Sequence, residues 1–134
     1  MGFSAGYGAT AAFAGTAYSA YGYFTTAYSG WKTQAYVVTS TGSATAATTI
    51  QRTPSASAPA GYMGARGRLF INGSTTNMSC EGTTHYNGSA ATLLTAGSCI
   101  HSGGGTWNSY GVTYGWTGTA YSANYTFSSP NQTS

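Results

Sequence analysis

Two windows of the chain, YGATAAFAGTAYSAYGYF at 7–24 and YGVTYGWTGTAYSANYTF at 110–127, agree at most positions without a gap. A match of this length requires one supersecondary unit near both ends, whatever lies between. An aromatic-bearing strand runs to Phe13 or Trp116, Gly15 or Gly118 turns it, and a second strand follows, which is the pattern of a β-hairpin. In the later copy Tyr121, Ala123, Tyr125 and Phe127 share one face of the strand, and Ser122, Asn124 and Thr126 share the other. This is the alternation of a half-buried antiparallel strand, and it places Asn124 on the outward face. The earlier copy puts Tyr18, Ala20 and Phe24 on the corresponding face. The two hairpins then supply the first and last strands, close together or in related positions of one sandwich.

The intervening sequence keeps the same period. Trp31, Thr33, Ala35 and Val37 alternate along 31–39, residues 40–43 turn, and 44–51 reads as a strand. The segment TPSASAPAG at 53–61 is the one evident linker. Residues 62–71 resume as a strand, Asn72-Gly73 turns, 78–86 returns, Asn87-Gly88 turns again, and 92–100 leads to Gly103-Gly104-Gly105. No helical periodicity occurs. The expectation is all-β: a single antiparallel β-sandwich over 1–134, of about eight strands built from hairpins, with the linker between two β-rich halves.

Only 4% of the residues are charged, against about 25% in an average protein. Glu81 is the sole carboxylate, and Lys32, Arg52, Arg66 and Arg68 are the cations, so the net +3 reflects missing acids. Nucleic-acid binding needs clustered Lys and Arg and is not expected. A surface with so little charge repels its own copies weakly and favours assembly or contact with solids and sugars. The 15% aromatic content argues against disorder. Cys80 and Cys99 suggest one disulfide, worth about 3 kcal/mol, and an oxidising, extracellular setting. The opening MGFSAGYG lacks a basic start and an apolar run, so the expectation is a mature form with an added Met. No segment reaches transmembrane length, and membrane insertion is not expected.

The stretch LLTAGSCIHSGGGTW at 93–107 resembles the segment around the catalytic histidine of trypsin-like serine proteases, and GRLFINGSTTNMSCEG is similar to the strands that precede it. Ser98 stands where that histidine belongs, His101 is three residues off, and the chain has neither an Asp nor a GDSGG motif. An active protease is excluded, a hydrolase lacks the residues it would need, and His85 and His101 have no carboxylate except Glu81 to orient them as general bases. A broader resemblance is to small exported proteins of Gram-positive bacteria. It is carried by GYMGARGRLF at 61–70, Cys80, Tyr86-Asn87, YGVTYGW at 110–116 and YTFSSPNQ at 125–132. That resemblance implies secretion and an all-β domain, and brings no catalytic residues.

Arg66 and Arg68 lie two apart on a strand and project from one face, where they would fork onto anionic groups or stack on neighbouring tyrosines. Cys80, His85, Cys99 and His101 lack a usual zinc spacing, so no metal and no cofactor is expected. Five of the six asparagines begin Asn-x-Ser/Thr. Asn72 and Asn87 read as turn formers, leaving Asn77, Asn124 and Asn131 as candidates for glycosylation. Trp31, Trp107, Trp116 and twelve tyrosines exceed what one small core needs, so some face outward, toward sugars or toward another copy.

The leading expectation is a non-enzymatic, secreted structural protein. Its uncharged, Tyr-rich strands would pair with copies of itself into a filament or surface layer. Phe3, Tyr7 and Phe13 near one end and Tyr125 and Phe127 near the other would dock. The alternative is a soluble secreted effector of bacteriocin type, or a module binding carbohydrate or cell wall, with Arg66, Arg68, Trp31, Trp107 and Trp116 forming its site.

Overall fold

A computed structural model describes residues 14–24, 31–52 and 57–134; Phe3, Tyr7, Phe13 and linker residues 53–56 lie outside these. The described chain is all-β, with antiparallel pairing throughout. Strands β1 (Gly15–Tyr18) and β2 (Gly22–Tyr23) pair in succession with β3 (Lys32–Ser40). A turn at 41–42 returns the chain as β4 (Ser43–Gln51). The second half contributes β5 (Met63–Arg66), β6 (Arg68–Ile71), β7 (Met78–Glu81), β8 (His85–Tyr86), β9 (Leu93–Gly97) and β10 (His101–Ser102). Last come β11 (Thr106–Ser109), β12 (Val112–Trp116), β13 (Tyr121–Tyr125) and β14 (Gln132–Thr133).

In the first layer β1 and β2 flank β3 on one side, while β9 and β10 pair with β4 on the other. Facing it are two four-stranded sheets, ordered β14-β11-β6-β7 and β13-β12-β5-β8. These correspond strand for strand, because each pair of neighbours in sequence is one run of chain interrupted midway. The fourteen strands among the described residues therefore exceed the eight expected. The excess comes from breaks that divide single runs, as at Gly67 within the strand expected over 62–71.

The breaks have a steric cause. A Cβ on Gly67 would lie 2.6 Å from the Gly97 carbonyl carbon and the Ser98 nitrogen, and one on Gly82 would strike the Gly97 oxygen. On Gly111 it would lie 2.7 Å from Thr48 Cβ. The layers thus approach closely along one line, backbone to backbone at Gly67 and Gly82 and backbone to the Thr48 side chain at Gly111, where regular pairing gives way to irregular chain. That line separates two apolar clusters. Phe24, Trp31, Ile50, Met63, Ala65 and Ala96 fill one end, and Val37, Ala44, Ala46, Leu69 and Trp107 fill the other.

The alternation of Trp31, Thr33, Ala35 and Val37 does point inward. Asn72 and Gly73 form the expected turn with φ of 54° and 77°. The alternation of β13 is inverted relative to expectation. Tyr121, Tyr125 and Phe127 face solvent, at 42%, 58% and 59% exposure, whereas Thr126 is buried at 4%. Small inward residues set a narrow gap between the layers, and a tyrosine does not fit it. On the earlier copy Tyr18 likewise faces out and only Phe24 turns inward.

Candidate functional site

The outward face of β5, β8, β12 and β13 is built by register. Tyr86, Gly64, Tyr114 and Ala123 form one row across it, and Arg66, Val112 and Tyr125 the next. Trp116 opposite Tyr121 completes its upper end. Gly64 is the floor of this surface: a Cβ there would lie 2.7 Å from the Tyr86 ring, so only glycine lets that ring cross the row. Tyr86 and Tyr121 approach to 5.0 Å between centroids, and Trp116 meets Tyr121 edge-on at 4.9 Å. Desolvation raises the Tyr86 phenol above its ordinary pKa, as do Tyr121 and Tyr114, with Arg66 opposing.

Lower on the face, Tyr110 and Tyr125 stack at 5.7 Å with 16° between their planes. The Arg68 guanidinium lies 5.0 Å from the Phe70 and Tyr110 centroids and 5.3 Å from that of Tyr125. Its Nε donates to the Tyr110 carbonyl at 2.8 Å. Arg66 turns toward the other edge, donating to Thr84 Oγ1 at 2.8 Å and reaching Glu81 at 3.3 Å. The two arginines share a face but diverge, each held by its own neighbours, so the geometry does not form the fork expected for an anion. The Arg66–Glu81 pair leaves Arg68, spread over aromatic rings, as the one uncompensated charge of this face.

Trp31 and Trp107 are core residues, at 3% and 4% exposure, so neither belongs to a surface site. Trp116 does. With Ala60, Gly61, Tyr62 and Tyr121 it lines an open groove of about 170 Å³. The Tyr121 hydroxyl donates to the Gly61 carbonyl at 2.8 Å and fixes that wall. This groove was not legible in sequence, because Tyr62 and Trp116 are neighbours only through β-pairing; the Trp116 amide donates to the Tyr62 carbonyl.

Cys80 and Cys99 are joined, with Cα atoms 6.0 Å apart, and so supply no thiolate for a metal. They link the edge of one layer to the edge of the other. Nearby, His101 Nδ1 and Ser79 Oγ lie 3.0 Å apart, and the imidazole packs on Trp107 at 4.4 Å. Among the described residues no cluster of three or more His, Cys, Asp or Glu side chains forms a metal site. Asn77 is exposed and Asn124 and Asn131 are half-buried. Asn87, by contrast, is buried: its Oδ1 accepts from the Met63 amide, and its Nδ2 donates to the carbonyls of Ala58, Pro59 and Ser89. Among the described residues no helix is long and apolar enough to cross a membrane. Comparison with family models, curated proteins and solved structures gave no match.

Proposed function

We propose that this is a non-enzymatic, secreted structural protein that associates with copies of itself through uncharged aromatic surfaces, forming a filament or layer. The observation that carries this reading is the inverted β13. Its rings stand in water while its hydroxyl and amide side chains turn inward. Exposed apolar area gains about 25 cal/mol per Å² when a second surface covers it. A monomer leaves that gain unused; an assembly takes it up.

Two further features support the reading. Tyr18, Tyr21 and Tyr23 are also exposed, so aromatic surface is present at the other end of the repeat pair. The charged residues on the outer face of β5 to β8 are Arg66, Arg68 and Glu81, and they are engaged within the chain. Repulsion between copies is correspondingly weak. The Cys80–Cys99 disulfide suits an oxidising exterior.

Negative-stain electron microscopy at low and high concentration tests the proposal. Regular filaments or sheets that thin out in a Tyr125→Ser/Phe127→Ser variant are the expected result. Dispersed particles at every concentration would overturn it and direct attention to the glycan-binding alternative.

A further inference from the structure

Ile100 is the most exposed large apolar side chain among the described residues, at 72%. It is held firmly despite that exposure. Cys99 before it is bonded to Cys80, and His101 after it is braced by Ser79 and Trp107. An ordered apolar knob loses little conformational freedom when it enters a partner, which favours binding.

The groove lined by Tyr62, Trp116 and Tyr121 lies at the opposite end of the molecule. β10, which follows Ile100, pairs with Ser43 and Ala44 at the start of β4. Tyr62 packs on the cluster that holds Ile50, at the far end of β4. Ala44 and Ile50 are six residue steps apart along the strand, about 20 Å at ~3.3 Å each. Neither the groove lining nor residues 98–102 carries an acid, a lysine or an arginine. A charged partner would lose hydration at either surface without compensation. An uncharged knob and an uncharged aromatic groove suit each other.

We infer that Ile100 of one copy seats in the Tyr62–Trp116–Tyr121 groove of the next. Resting on the assembly reading, this adds to it a specific contact and a geometry. Knob and groove are different patches at opposite ends, so the contact is heterologous. It propagates head to tail and leaves a free knob and a free groove at the ends of every oligomer. One side chain buries far less than the roughly 1,200 Å² of a stable interface. The exposed rings of Tyr86 and Tyr121 beside the groove supply further area.

Two variants test the contact. Ile100→Lys blocks the knob and Ala60→Arg blocks the groove; both positions are exposed, and the two new cations repel each other. Circular dichroism checks that each variant keeps its fold. Sedimentation velocity should show each variant alone as a 13.6 kDa species at concentrations where the native chain assembles. Half-assembly should require at least about tenfold more protein, a change of roughly 1.4 kcal/mol. An equimolar mixture retains one intact knob and one intact groove, and should yield a discrete dimer and nothing longer. Native protein that assembles while Ile100→Lys assembles equally well overturns the inference and leaves the assembly reading standing. So does a mixture that stays monomeric. If Ala60→Arg assembles normally but loses retention in a gel containing a soluble neutral β-glucan, the groove is a sugar site and the inference falls. Native protein that never assembles removes the assembly reading itself.

Discussion

Asn87 shows how a residue's role depends on what surrounds it. In sequence it begins an Asn-Gly turn and an Asn-x-Ser triplet; in the fold its amide ties the Ala58–Pro59 backbone to Met63. Asn87→Ala should cost about 2–3 kcal/mol in urea unfolding, since backbone groups at a buried site lose their partner. The glycines divide in a similar way. Gly82→Ala forces a methyl into the Gly97 backbone and should cost on the order of 1–3 kcal/mol, whereas Gly88→Ala, with nothing within 4 Å, meets no such clash. The phenols respond to alkali. Burial, and then Tyr18, raises the Tyr36 pKa, and burial leads the causes at Tyr86. The folded state therefore holds these protons more tightly than the unfolded state. Their contribution is intact below the ordinary phenol pKa of about 10 and is lost as pH rises through the higher folded values. Unfolding free energy measured from pH 8 to 11.5 should fall over the upper part of that range, and less so in Tyr36→Phe.

The same hexapeptide adopts two conformations in this molecule. Residues Gly15–Tyr18 form β1 along β3. The second copy spends Gly118, Thr119 and Ala120 in the turn between β12 and β13, where the Thr117 amide donates to the Ala120 carbonyl. Local sequence is identical, so the difference lies in the available partner strand. The inversion of β13 has the same origin: inward positions are decided by what the facing layer can accommodate. It reverses the usual expectation for mutants. Phe127→Ser, which removes a ring 59% exposed with its edge toward Gly22, should cost less than about 1 kcal/mol. Thr126→Ala should cost about 1–3 kcal/mol, because Thr126 Oγ1 accepts from the buried Gly111 amide. Thermal and urea unfolding of both variants, compared side by side, checks the reversal.

Across the whole molecule, the two layers are joined on one side by the disulfide and by the close approach of Gly82 to Gly97. On the other side the first and last runs meet, with Gly22 facing the Phe127 ring. Cys80→Ser/Cys99→Ser should lower unfolding free energy by about 3 kcal/mol. Scarce charge has its own signature at this scale. An assembly joined by uncharged surfaces should not weaken when salt rises from ~0.01 M to ~1 M, where the screening length falls from about 30 Å to 3 Å. Light scattering across that series measures it.

What could be read from the sequence was local. The period of two along 31–39 and the Asn72-Gly73 turn state their outcome within a few residues, and two cysteines leave a single possible pairing within the chain. The all-β class follows from them. What only the tertiary structure decided depends on residues far apart in the chain: Gly111 against Thr48, Gly82 against Gly97, Tyr62 beside Trp116. The two glycine contacts set the spacing between the layers. The spacing breaks long strands into short ones and turns the tyrosines outward. An alternating pattern defines two faces of a strand, but only the room left by the opposite layer determines which of them is inside.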